Sequence, residues 1–69
     1  MSILTLDVPD ISCDHCRTSI EGALAPLPGV QRALVDVTAR TVTVAFDDGA
    51  LDTADLRRVI EDAGYEVAG

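Results

Sequence analysis

Pro9-Asp10-Ile11-Ser12-Cys13-Asp14-His15-Cys16 is the stretch on which the reading of this chain turns. It contains the chain's two cysteines, spaced as Cys-x-x-Cys, and its single histidine stands between them. Two thiols at this spacing can close a disulfide, hold a metal or cycle between redox states. A structural disulfide is the weakest of these readings. The loop it would close is tiny, so it would remove little entropy from the unfolded chain, and it would tie no distant segments together. Metal and redox chemistry stay open at this point, and the surrounding fold has to separate them.

Upstream of the stretch, Ile3-Leu4-Thr5-Leu6-Asp7-Val8 alternates and then meets a proline. That pattern predicts a first strand with Leu4, Leu6 and Val8 on one face. Pro9 to Asp14 reads as a loop, rich in turn formers, and its one apolar residue, Ile11, is expected to fold back under the loop as an anchor. Downstream, Cys16, Ile20, Ala23, Leu24 and Leu27 follow the 3.6-residue period of a helix that starts near Asp14. Arg17, Thr18 and Glu21 fall on the opposite side. Ser12 or Asp14 is the expected cap, and Pro26 and Pro28-Gly29 stop the helix. Cys16 then lies in the first turn and Cys13 just ahead of it. The free N–H groups and positive dipole end of the helix point at both sulfurs, which should lower a thiol pKa.

The remaining elements follow in order. Val30 to Thr38 alternates, with Ala33, Val35 and Val37 on one face. After a tight turn at Thr38-Ala39-Arg40, Thr41 to Phe46 places Val42, Val44 and Phe46 inward, completing a hairpin. Asp47-Asp48-Gly49 makes a turn. A second helix is expected from about Thr53 to Ala63, with Asp52 as cap and Asp55 three positions on. Its buried stripe is Leu56, Val59, Ile60 and Ala63, and Gly64 ends it. Tyr65 to Ala68 is long enough for a short last strand. The order strand, helix, strand, strand, helix, strand predicts an α+β, ferredoxin-like βαββαβ sandwich. Its four-stranded antiparallel sheet would carry two helices on one face and leave the other face wet.

Length and composition set limits on function. Sixty-nine residues make one domain, expected to span 1–69, and a chain of this size buries only about 60% of the surface its unfolded form exposes. Phe46 and Tyr65 are the aromatics, so the core must be built from Val, Leu, Ile and Ala. That leaves no room for an internal ligand cavity, and function belongs on the surface. Twelve acidic residues against five arginines and no lysine give a net charge of −7. This excludes a basic nucleic-acid footprint and disfavours an anionic membrane surface. The charge suits steering toward a basic partner, or simply a solvated surface. Met1-Ser2 runs directly into the first strand without a signal peptide. No apolar run approaches the roughly 20 residues of a membrane span. A cytoplasmic location is therefore expected, where a cysteine pair more often means metal or redox chemistry than a staple.

At this point the sequence resembles a family, the heavy-metal-associated domain of copper chaperones and copper-transporting P-type ATPases. The family motif Gly-Met-Thr/His-Cys-x-x-Cys, between first strand and first helix, stands here as Asp10-Ile11-Ser12-Cys13-Asp14-His15-Cys16. Further matches are Leu27-Pro28-Gly29-Val30, Ala33-Leu34-Val35-Asp36-Val37, Thr41-Val42-Thr43-Val44 and Ala63-Gly64-Tyr65-Glu66-Val67. Two departures stand out. Ile11 replaces a methionine that mainly packs in the family, so it can serve as the anchor. Asp10 replaces a glycine and adds a charge near the loop, where it could alter partner docking or metal preference.

The resemblance implies a Cu(I) metallochaperone with Cys13 and Cys16 as metal ligands, without enzymatic activity. It would pass copper by thiolate exchange to the metal-binding domain of a copper-transporting P-type ATPase or to a copper-responsive regulator. No nucleic-acid partner and no membrane insertion are implied. The expected state is a monomer without metal, with a metal-bridged dimer as the loaded alternative. Soft thiolates suit Cu(I), which accepts few ligands. Zn(II), and by the same account Cd(II), would need His15 or Asp10 to complete a fuller set. His15 is weighed as a third ligand against an exposed loop residue facing solvent or a partner. Tyr65 is weighed as a shield beside the site against a cover on the end of the core. Arg17 is weighed as a charge near the thiolates against a solvated helix face. Asp47-Asp48 and Asp52-Asp55 read as turn and cap residues. Two alternatives remain. One is a metal-binding module of a larger transporter. The other is a thiol–disulfide oxidoreductase, although the Trp-Cys-Gly-Pro-Cys signature of such chains is missing.

Overall fold

In the computed structural model, which describes residues 1–68, the alternating runs pair into one antiparallel sheet. The elements are β1 (Ser2–Asp7), α1 (Asp14–Leu24), β2 (Val30–Asp36), β3 (Thr41–Phe46) and α2 (Thr53–Asp62). The strand order is β1-β3-β2. Leu4 lies opposite Val44, Leu6 opposite Val42, and Val35 opposite Val42 from the other side. The period of two therefore puts Leu6, Val35, Val42, Val44 and Phe46 on one face, where all are buried. The other face is wet: Ile3 is 70% and Leu34 48% exposed. A register shift between Val30 and Arg32 keeps Val30 and Ala33 on the buried side.

Both helices supply the second layer. Ile20 and Leu24 of α1 and Leu56 and Ile60 of α2 are completely buried in the same cluster as the strand residues. Asp52 caps α2 and forms a reciprocal box with Asp55: each side chain accepts the other residue's N–H, at 3.0 and 3.2 Å. Gly64, at φ 98°, ends that helix in the left-handed region. Gly29 is similarly required. Its φ is 95°, and a side chain there would begin 3.0 Å from the Cβ of Ala50. Arg40 takes a left-handed φ of 57° in the β2–β3 turn.

Three expectations need correction. Among the described residues the expected sheet of four strands has three, because residues 65–68 form no strand. The tail does run beside β1, and Ala68 donates its N–H to the carbonyl of Asp7 at 2.8 Å. However, the N–H of Glu66 goes to the Asp10 carboxylate and that of Tyr65 to Ile60 in α2. The donors are spent in three directions, which is too few bonds to one neighbour for a ladder. Second, neither Ser12 nor Asp14 caps α1. Cys13 occupies that position in extended conformation, with no side-chain cap bond. Third, Ala63 is exposed rather than part of the buried stripe, since the helix gives way to its cap there.

Candidate functional site

The junction of β1 and α1 is built on Ile11. Its side chain is completely buried, and its N–H bonds the carbonyl of Val8 at 3.1 Å. This single apolar residue pulls a polar loop onto the core, as its isolation in the sequence led us to expect. The residues that follow are held up to solvent: Ser12, Cys13, Asp14 and His15 are all exposed. Both cysteines are free thiols, Cys13 exposed and Cys16 half-buried. Cys16 sits in the first turn of α1, and its N–H and that of Arg17 bond the carbonyl of Cys13 at 3.1 and 3.3 Å. The two cysteines are thus locked to one another through the start of the helix, with Cys13 on the outer side and Cys16 against the core edge.

The surroundings favour thiolate at Cys16. Its pKa is lowered to about 7, first by hydrogen bonding from the Ser12 backbone and then by the Tyr65 hydroxyl. The Ser12 hydroxyl and the Cys13 backbone add to this, and partial burial opposes it. The Ser12 Oγ lies 3.9 Å from the Cys16 sulfur. The helix start expected to stabilise the anion is present, but the leading donors belong to Ser12 and Tyr65. Tyr65 responds in the other direction. Its pKa is raised, chiefly because its hydroxyl is engaged as a donor to Cys16, while a bond with Ser19 opposes the rise.

Tyr65 packs against the core, as one of its two weighed roles has it, and its hydroxyl is among the groups that lower the Cys16 pKa. His15 is exposed on the second position of α1. Among the described residues no three His, Cys, Asp or Glu side chains converge as a metal cluster, so His15 is not gathered with the two sulfurs. Arg17 points along its own helix, 3.5 Å from Asp14 and 3.7 Å from Glu21, which is the solvated-face arrangement. Asp47 accepts the Gly49 N–H, Asp48 accepts the Ser2 hydroxyl, and Asp52 with Asp55 forms the box. Asp47, Asp52 and Asp55 thus serve a turn and a cap, while Asp48 reaches across to β1.

Three participants were not singled out for this role from the sequence. Ser12 supplies donors to Cys16 rather than a helix cap. Ser19 shares the Tyr65 hydroxyl; its spacing of three from Cys16, one turn along the same side of α1, was the available signal. Asp10 accepts the Glu66 N–H at 2.9 Å, so the added charge is also a tether. Among the described residues, no helix is long and apolar enough to cross a membrane.

Comparison with known proteins agrees with this arrangement. The heavy-metal-associated domain pattern matches residues 5–66. The chain is 42% identical over 62 residues to the copper chaperone CopZ of Staphylococcus haemolyticus (strain JCSC1435), covering 90% of this chain and 91% of that one. Its structure superposes on a CopZ metallochaperone with a TM-score of 0.94 at 36% identity, over 97% of this chain and 100% of that one. A copper binding domain from HMA7, a P-type ATPase, gives a TM-score of 0.92 at 31% identity, over 100% of this chain and 96% of that domain. With the family pattern matched over residues 5–66 and relatives matched over nearly its full length, the chain belongs to the heavy-metal-associated domain family.

Proposed function

We propose that the chain is a Cu(I) metallochaperone of a single domain, residues 1–69, acting in the cytoplasm and without enzymatic activity. Cys13 and Cys16 are its metal ligands. The observation that carries this reading is the pair of free thiols at the junction of loop and helix, Cys13 exposed and Cys16 half-buried with its pKa lowered to about 7. A thiolate is the form that binds a soft metal, and two soft sulfurs suit Cu(I). The names of its relatives, copper chaperones at 37 to 42% identity, support the same cargo.

The mechanism follows from the exposure of the pair. An acceptor's thiolate approaches the metal from the open side, forms its own bond, and one sulfur of the pair lets go with its electron pair. Repetition at the second sulfur completes the transfer, and no electron changes hands. The buried Ile11 anchors the loop to the core, and backbone hydrogen bonds at the start of α1 join the two cysteines. The partner we assign is the metal-binding domain of a copper-transporting P-type ATPase, or else a copper-responsive regulator. The likeness in fold to a copper binding domain of a P-type ATPase supports the first.

Competitive titration against a Cu(I) chelator under reducing conditions tests the assignment. Cys13→Ser and Cys16→Ser are each expected to lose nearly all Cu(I) binding while keeping the fold; unchanged affinity in both would refute it. Native mass spectrometry with Cu(I), Zn(II) and Cd(II) in competition reads the preferred metal and whether a metal-bridged dimer forms.

A further inference from the structure

The face of the sheet turned away from the helices carries its side chains in a set order. Register lays out three rows across β1, β3 and β2: Ile3, Ala45 and Arg32; Thr5, Thr43 and Leu34; Asp7, Thr41 and Asp36. The hydroxyls of Thr5 and Thr43 lie 3.4 Å apart, as opposed residues on one face do. Ile3 is 70% and Leu34 48% exposed, and Met1, the remaining large apolar side chain exposed among the described residues, falls on the same alternation just before β1. Along β2 the face reads Arg32, Leu34, Asp36: a cation, an apolar residue and an anion at equal steps. All three are exposed. Arg32 makes no ion pair among the described residues. Asp36 accepts the Ala39 N–H on one carboxylate oxygen at 3.0 Å, and its charge has no cationic partner.

We propose that this face is a self-complementary docking surface for a second copy of the chain, engaged without metal. In a two-fold pair one patch meets itself reciprocally. With the axis between the sheets and running across the strands, Leu34 of one copy meets Leu34 of the other, and Arg32 of each meets Asp36 of the other. With the axis along the strands instead, Asp7 would oppose Asp36 and the two acidic rows would coincide. The charges therefore select one orientation, and they name a copy of this chain as the occupant because one surface supplies both halves of each pair. Asp7 and Asp36 are the acidic residues on the face, so most of the net charge of −7 lies elsewhere. That charge opposes encounter at long range, and physiological salt screens it beyond about 8 Å. Three strands and five residues give a face of roughly 14 by 16 Å, well under the roughly 800 Å² per partner of a stable interface. The contact is accordingly weak and transient. The cysteine loop follows the Asp7 end of β1, and the strands of the two copies run in opposite directions. The two loops thus fall at opposite ends of the pair and both stay open, whereas a metal-bridged dimer brings them together.

The test is sedimentation equilibrium of the reduced, metal-free full chain at physiological salt. It runs up to about 2 mM, since a contact this small implies a Kd of about 1 mM. Backbone amide NMR shifts are followed over the same dilution. The parent should associate, and the shifts that move with concentration should cluster on β1, β2 and β3 rather than on the helices. Leu34→Asp should sediment as a monomer throughout. Arg32→Asp and Asp36→Arg should each weaken association about tenfold, because like charges replace two attractive pairs. The double variant Arg32→Asp/Asp36→Arg restores the pairs and keeps the parent's net charge, so it should return to within about threefold of the parent. A parent that stays monomeric at the highest concentration would overturn the proposal and leave the face to an occupant of other chemistry. Shifts confined to the helices, tighter association in Asp36→Arg, or a folded double variant that does not recover would each overturn it too. If loss of the Ala39 bond unfolds Asp36→Arg, Leu34→Asp and Arg32→Asp decide the matter, and parent-like association in either rejects the surface. None of these measurements involves metal, so the outcome is independent of the carrier reading.

Discussion

The carboxylate of Glu21 accepts the backbone N–H of Val35 at 3.1 Å, so a side chain of α1 occupies a hydrogen-bonding position on β2. Because β2 is an outer strand of the sheet, that N–H has no strand partner beyond it. Unpaired edges invite pairing with other chains. The bond also ties α1, which bears Cys16, to the far side of the sheet, and Arg17 stands 3.7 Å from the same carboxylate.

Glu21→Ala is accordingly expected to lower stability by about 1–2 kcal/mol, the cost of leaving a half-buried donor without its partner. It should also raise the tendency to associate at high concentration. Urea unfolding and sedimentation of the metal-free, reduced chain check both. Glu21→Gln, which keeps an acceptor oxygen, should behave closer to the parent, and equal losses in both variants would count against the edge explanation.

Ile11 anchors the loop from a completely buried position. Ile11→Ala should destabilise the domain by about 2–4 kcal/mol through lost burial and the cavity left behind. Copper binding should weaken as well, because the loop loses its support from below. A chevron or urea titration gives the first quantity and chelator competition the second. A stable variant with unchanged Cu(I) affinity would show that the loop holds its own shape.

The pH dependence centres on Cys16, whose pKa is lowered to about 7. A thiol depressed in the folded state stabilises the fold as its anion. That stabilisation is present above the unfolded thiol's ordinary range, around 8.5, and is lost as pH falls through about 7. Reduced, metal-free protein should therefore gain stability between pH 7 and 9, and Tyr65→Phe should gain less. Alkylation of Cys16 should likewise reach half its limiting rate near pH 7, measured by mass-resolved iodoacetamide labelling. Half-maximal labelling near the ordinary thiol value would disprove the arrangement of donors around that sulfur.

Arg40 adopts a left-handed φ of 57°, a conformation that costs a side-chain-bearing residue roughly 1–2 kcal/mol. Its carbonyl accepts the Val8 N–H at 2.9 Å, so the turn cannot relax without loosening the strand that leads into the cysteine loop. Arg40→Gly should raise stability by about 0.5–1 kcal/mol once the extra freedom of glycine in the unfolded chain is subtracted. A melting temperature below that of the parent would show that the arginine side chain compensates elsewhere.

His15 is exposed and stands apart from any cluster of three metal-binding side chains among the described residues. His15→Ala should therefore change Cu(I) affinity by less than about threefold, roughly half a kcal/mol, against near-complete loss in either cysteine variant. The same chelator competition decides it. A loss matching that of Cys13→Ser would make the imidazole a ligand.

Much of this was legible in the chain itself. Alternation of Leu4 and Leu6, and of Val42, Val44 and Phe46, determined which side of each strand is buried, because a strand has a period of two and one face must be dry. Spacing placed Ile20 and Leu24 on the inner stripe of α1. The pairing of Asp52 with Asp55 announced the start of α2, since a cap is a local device. The isolated Ile11 marked the anchor, and Cys-x-x-Cys at the strand–helix junction marked the site proposed here. Each of these rests on residues close in sequence.

Tertiary structure alone decided the rest. Whether residues 65–68 make a fourth strand depended on where their N–H groups went, and Asp10, Ile60 and Asp7 divided them. The donors around the Cys16 sulfur come partly from Tyr65, far along the chain, and no local pattern reports a contact across that distance. The same holds for Glu21 and Val35. Periodicity records which face of an element is dry; polar partners between elements depend on how those elements are set against one another, and that is fixed only when the core closes.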